Sequence, residues 1–319
     1  MQTRQKILID TDIGDNMDDA FAILAAMALN FEIVGITTVF RDTVKRAAMA
    51  KRLLYAYGRG YESVPVYAGF SGSGTGQNAA CQCSFADGLD LADYIPGNNN
   101  PEEAVDFIID CCNRYGKELT VIALGPFCNM AKVIEKDPRA LERANKVVIM
   151  GGAYFKQYAD WNVMCDVPAA DLMFRTLTNL ECIGADVTHR LTGMEYLEKA
   201  LSNPEISNNA LQFVIALCKA WRSDYPDTPL VLHDALVVYY VYDPSICTMQ
   251  KIRPVVITDG PAKGLTLNID SYGKDYLNSY YENHDFSASV LAASDVDITK
   301  FHQFVSRDIS LCQRPNMDP

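Results

Sequence analysis

Strands that stay largely apolar on both faces constrain this chain more than any other feature. Residues 6–12, 32–40, 64–68, 119–124, 146–150 and 181–187 read as such strands. A parallel sheet covered by helices on both sides needs strands of this kind. Helical patterns lie between them, at 17–29, 44–57, 101–114, 128–135 and 168–177. In the first of these, Ala20, Ile23, Leu24, Met27 and Ala28 share one face. The alternation predicts a doubly wound α/β fold of Rossmann type, with a mostly parallel sheet flanked by helices. In such a fold the ligand site lies beyond the carboxyl ends of the strands.

After Thr188 the pattern turns more helical, at 206–222 and 233–242, which predicts a helical C-terminal portion. Residues 255–269 read as a hairpin turning at Asp259-Gly260. Residues 69–100 are rich in Gly, Ser, Asn and Cys without clear periodicity, and read as a long loop near the site. No repeat or linker calls for a second unit, so residues 1–319 are expected to form a single domain.

The formal net charge of −12 disfavours nucleic acid and anionic lipid as partners. No run of 18 apolar residues is present, so no membrane-spanning helix is expected. The N-terminus leads straight into Ile7-Leu8-Ile9 with no cleavage-site pattern behind it, so no signal peptide is expected and the location expected is cytoplasmic. The ten cysteines are scattered, and Cys81-Gln82-Cys83 has neither zinc spacing nor a matching Cys/His pair. They read as reduced thiols.

The chemistry concentrates in Asp10-Thr11-Asp12-Ile13-Gly14-Asp15-Asn16-Met17-Asp18-Asp19, five carboxylates between a buried strand and an amphipathic helix. Asp12 lies at the strand's carboxyl end, and Asp18 and Asp19 lie in the first helical turn. Helix capping by Asp15 or Asn16 explains one or two of these residues. It does not explain five, whose mutual repulsion calls for a cation. Oxygen ligands without Cys or His point to calcium or magnesium. An EF-hand needs a Glu where Phe21 stands, counting from Asp10. A phosphatase of the haloacid dehalogenase type has Thr or Val where Gly14 stands.

With these residues in view, the chain resembles the inosine–uridine-preferring nucleoside hydrolase family. The resemblance rests on six segments in order: Asp10 to Asp19, Gly35 to Val39, Leu124-Gly125-Pro126 with Asn129, Val148 to Gly152, Asp160-Trp161-Asn162 with Asp166, and His233-Asp234-Ala235. It implies calcium-dependent hydrolysis of the N-glycosidic bond of ribonucleosides. Calcium would be held by Asp12, Asp19 and Asp234 and by the Leu124 carbonyl. Asp18, Asp42, Met150, Asp160 and Asn162 would contact substrate. The resemblance also implies a homo-oligomer, a dimer or a tetramer.

The implied chemistry is coherent. Glycoside cleavage develops positive charge on the sugar ring, which a carboxylate-rich pocket favours. A bound cation makes coordinated water more acidic, and Asp12 would take the proton as water attacks C1′. His233, with an unperturbed pKa near neutrality, is the expected acid for the departing base. Of the other histidines, His189 follows a strand, while His284 and His302 read as surface or packing residues. Trp161 suits either the core or the sugar. Trp221 and Tyr225 fit a helix face, with base stacking as the alternative.

The chain departs from the family pattern at three places. Arg41-Asp42 replaces a common Gly-Asn, Asp160 replaces a Glu, and no histidine stands near Ser84, ahead of Asp87-Gly88-Leu89. The preferred base is therefore not carried over. Two other readings stay open at this level. A metal-dependent phosphatase would cleave p-nitrophenyl phosphate but no nucleoside. A nucleoside- or ribose-binding protein without catalysis would bind but not turn over.

Overall fold

Both faces of the central strands are buried, as the sequence predicts. In the computed structural model, which describes residues 4–14, 16–72, 88–191, 208–271 and 289–313, Ile7 and Ile9 of β1 (Lys6–Thr11) join one core while Leu8 joins the other. The same alternation holds in β4 (Leu119–Ala123) and β5 (Lys146–Met150), where Ile122 and Val148 face one way and Val121 and Ile149 the other. With β2 (Glu32–Thr38), β3 (Val66–Ala68), β6 (Leu180–Ile183), β7 (Cys247–Ile252) and β10 (Val290–Val296) they form an eight-stranded sheet. Its order is β3-β2-β1-β4-β5-β6-β10-β7. Every pairing is parallel except that of β7 with β10.

The chain first builds outward from β1 to β2 and β3, then returns to place β4 on the other side of β1. This reversal opens a crevice between the carboxyl ends of β1 and β4, where ligands bind in sheets of this kind. One face carries α1 (Asp18–Ala28) and α2 (Thr43–Tyr57), and the other carries α3 (Pro101–Tyr115), α4 (Cys128–Lys136) and α5 (Ala140–Arg143). Two helices follow β5, α6 (Trp161–Cys165) and α7 (Val167–Thr176), and a third, α8 (Ala185–Thr188), follows β6. The chain continues through α9 (Asn209–Asp224) and α10 (His233–Tyr242), and α11 (Ile298–Gln313) closes the described chain.

Helix starts follow local chemistry. Asn100 accepts from Glu102 N ahead of Pro101, and Asp166 accepts from Ala169 N, each tying up an amide that has no partner inside its helix. Gly116, at φ +49, ends α3 in a conformation that a side chain would strain.

Two sequence expectations change. The run expected as a strand over 181–187 is a strand only to Ile183, and Ala185–Thr188 is a helical turn. The helical C-terminal portion is present, but it also delivers β7 and β10 to the sheet. The hairpin survives as a small separate sheet, β8 (Pro254–Val256) with β9 (Thr266–Asn268), with Gly260 at φ +75 in the turn. No helix among the described residues is long and apolar enough to cross a membrane.

Candidate active site

The crevice opens into a pocket of about 460 Å³. Its floor is made where elements end. Asp12 follows β1, Leu124 follows β4, Met150 closes β5, and Asp18 and Asp19 start α1. Asp234 arrives from the first turn of α10, and α6 brings in Asp160 and Asn162. All of these residues are buried.

Asp18, Asp19 and Asp234 each offer a carboxylate oxygen, and these atoms lie within 4.8 Å of one another. The Asp234 amide also donates to Asp18 Oδ2 at 3.3 Å, and the Thr11 hydroxyl donates to Asp19. Burial, followed by the neighbouring Asp19 charge, raises the Asp18 carboxyl. Burial also raises Asp234 well above its usual range, with Asp18, Asp19 and Asp12 adding to the effect. Carboxylates so placed repel one another, and a cation offsets that repulsion. The donors are all hard oxygens, which fits calcium or magnesium and not zinc. The Leu124 carbonyl accepts from Asn162 Nδ2 at 2.5 Å, and a carbonyl has a second lone pair for another partner. The close cluster thus joins Asp19 and Asp234 with Asp18, which the sequence reading assigned to ribose. Asp12 and Leu124 line the same pocket floor.

The floor is held from behind by buried polar groups. Arg46 of α2 is wholly inaccessible. Its Nη1 donates to the carbonyls of Asp12 and, at 3.0 Å, Ile13, while its Nε donates to Phe40 O at 2.7 Å. Its fork therefore joins the turn after β1 to the turn after β2. Asp10 does not line the pocket. Its Oδ1 accepts from Thr37 Oγ1 at 2.6 Å and from Asn129 Nδ2 at 2.7 Å, and burial moves its carboxyl up to about 7. Asn129 also accepts from Phe70 N at 2.8 Å, which fixes the start of the 69–100 segment. Gly125 is required for space, because a Cβ there would sit 2.8 Å from Asp12 Oδ1.

One wall is formed by α8 and α10. His233 Nδ1 lies 2.8 Å from Thr188 Oγ1, and the rings of His233 and His189 meet edge-on at 5.5 Å. Burial, followed by the nearby His189, lowers His233 to about 3. Burial thus disfavours the charged form of the ring. Trp221, Tyr225 and Thr228 line the pocket beyond it, with the Trp221 and Tyr225 rings 5.6 Å apart.

Other expectations fall out as follows. Asp160 caps α6, accepting from Asn162 N at 3.1 Å and Val163 N at 3.3 Å, and burial raises its carboxyl to about 6. Asn162 Nδ2 donates to Met150 O at 3.1 Å. Trp161 is 47% exposed at the pocket mouth, with the Arg41 guanidinium 5.9 Å from its ring. Asp42 does not line the pocket. Its side chain caps α2 by accepting from Lys45 N at 3.0 Å. His302 lies on α11, away from the pocket. Asp15, Cys81, Cys83, Ser84, Asp87 and His284 lie outside the described residues. The sequence reading missed Tyr158 and Thr228, which sit in aperiodic segments and carry no motif signal.

The family model described as inosine-uridine preferring nucleoside hydrolase matches residues 7–303. The chain is 30% identical to uridine nucleosidase 1 of Arabidopsis thaliana over 82% of this chain and 81% of that one. It is 27% identical to the non-specific ribonucleoside hydrolase RihC of Klebsiella pneumoniae, over 97% and 99% of the two chains. Among solved structures, a plant nucleoside hydrolase superposes with a TM-score of 0.79 at 26% identity, covering 98% of this chain and all of that one. A purine-preferring ribonucleoside hydrolase from Gardnerella vaginalis gives 0.75 at 26% identity, covering 97% of this chain and 99% of that one.

Proposed function

Because the chain belongs to the inosine-uridine preferring nucleoside hydrolase family, and is thus an enzyme that hydrolyses the N-glycosidic bond of ribonucleosides, we propose that it does so with calcium held at the aspartate floor of the pocket. The observation that carries this reading is the meeting of Asp18, Asp19 and Asp234 in the pocket at the carboxyl ends of β1 and β4, which Asp12 and Leu124 also line. Asp12, Asp19, Asp234 and the Leu124 carbonyl would hold the ion, and Asp18 lies close enough to join them. When bound, calcium supplies Lewis acidity to water and a fixed anchor for vicinal hydroxyls.

The chain's own residues supply the rest. Asp12 accepts the proton of the attacking water. Asp18, Asp160 and Asn162 bind ribose hydroxyls, and Met150 completes the wall to which Asn162 is tied. The buried carboxylates favour the oxocarbenium-like sugar as its charge grows. His233 stands on the wall where it can donate a hydrogen bond to the departing base.

The test is a panel of purine and pyrimidine ribonucleosides incubated with calcium and scored for free base and ribose. Release of both products from at least one member is expected. Cleavage of p-nitrophenyl phosphate with no nucleoside cleaved would defeat the reading.

The metal makes its own prediction. Elemental analysis is expected to give one calcium per chain, and exhaustive chelation should abolish turnover until calcium is restored. Full activity after chelation, or zinc as the bound ion, would remove calcium from the proposal.

A further inference from the structure

His233 and Thr188 come from different elements, the first turn of α10 and the end of α8, yet their side chains meet at 2.8 Å. Thr188 is wholly buried. Among the described residues, its hydroxyl has one hydrogen-bonding partner, His233 Nδ1. A hydroxyl carries one proton, and a buried proton without an acceptor is costly. If His233 carried its proton on Nδ1, that N–H would donate to Oγ1 and the Thr188 proton would be stranded. A doubly protonated ring would strand it equally. Only an unprotonated Nδ1 satisfies both groups.

We infer that Thr188 is a positioning residue whose hydroxyl donates to His233 Nδ1 and so fixes the ring as the Nε2–H tautomer, presenting a donor to the pocket. Nδ1 is taken by Thr188, and the ring lines the pocket, so Nε2 is the nitrogen left for a ligand. A nucleobase that leaves without a proton carries negative charge, which a hydrogen-bond donor stabilises, and the fixed tautomer puts such a donor where the leaving group forms. The opposite tautomer would present a lone pair and repel it. This role in the reaction rests on the proposed contact between His233 and the leaving base, but the tautomer itself does not.

Two measurements test the inference and keep these parts separate. The chain has only four histidines, so long-range proton–nitrogen spectra can assign each ring. The His233 Nδ1 signal is expected to be of the unprotonated, hydrogen-bond-accepting type, with the proton on Nε2. Thr188→Val should lose this single tautomer, and Thr188→Ser should keep it. An Nδ1–H signal in the native protein overturns the assignment.

The second measurement compares a natural ribonucleoside with p-nitrophenyl riboside, whose leaving group needs no donor. Thr188→Val is expected to lower kcat on the natural substrate about 10-fold, the size of one lost hydrogen bond. The loss on the nitrophenyl substrate should be several-fold smaller. Thr188→Ser should recover most of the activity, and His233→Ala should show the same imbalance more strongly. A merely structural role would slow both substrates together. If His233→Ala is selective and Thr188→Val is not, the positioning role falls alone. If both variants slow the two substrates equally, the leaving-group reading of His233 falls and takes the positioning role with it.

Discussion

Substrates lacking the 2′-hydroxyl are expected to be nearly inert, with kcat/KM for a 2′-deoxyribonucleoside roughly 10⁴–10⁵ below that of its ribonucleoside. The pocket floor is the reason. Asp12, Asp18, Asp19 and Asp234 are all buried at the end of the crevice. A sugar bound there by a cation and carboxylates must return the hydrogen bonds that these groups lose to the protein interior. Removing one hydroxyl leaves buried polar atoms unpaired, which costs far more than removing a methylene from an apolar pocket. The check is a paired measurement of inosine with deoxyinosine and of uridine with deoxyuridine at saturating calcium. Comparable kcat/KM within either pair would mean that the floor does not grip the ribose diol.

Asp12→Asn is expected to lower kcat by about 10²–10⁴, the usual cost of losing a general base. The amide fills the same space beside Gly125, whose missing side chain makes room for Asp12. It cannot take a proton from water, and it is a weaker partner for a cation. The experiment therefore needs enough calcium to saturate the variant, together with a thermal melt showing that the fold is intact. Arg46 grips the main-chain carbonyl of Asp12, and this hold on the backbone survives the substitution. A variant that kept more than half of wild-type kcat would exclude Asp12 as the base.

The parts of the site that the sequence made legible are those set by chain direction. A buried strand that ends in Asp12 and a helix that begins with Asp18 and Asp19 can hardly place these groups anywhere but the carboxyl edge of the sheet. His233 and Asp234 were legible for a similar reason, standing at the start of a strongly apolar helix whose observed bounds are those expected. The misses have physical causes. Trp221 is only 5% exposed yet lines the pocket, so helical periodicity could not separate core from site. Asp42 follows two residues with positive φ, Phe40 and Arg41, and that turn leaves its side chain at the start of α2, where capping takes it. Thr188 and His189 were hidden by Ala185-Asp186-Val187, which reads equally well as the end of a strand or as a helical turn. The strands β7 and β10 alternate irregularly between buried and exposed positions, because one is an edge and the other is rich in small residues.

The place of β10 has a consequence for how the protein is made. This strand is inserted between β6 and β7, pairing Leu291 with Glu181 and Ala292 with Cys182. A ribosome that has just released β6 must add about a hundred more residues before β10 exists, roughly 5–20 seconds of synthesis at ordinary rates. Until then β6 has an open edge of unpaired amides and carbonyls, the kind of surface that recruits other chains. The pocket floor depends on strands and helices drawn from earlier in the chain, up to Asp234, but the sheet beneath it stays open until Val290–Val296 has been made. The strand β10 thus acts as a late clasp, and a chain cut short before Val290 would carry its own aggregation site.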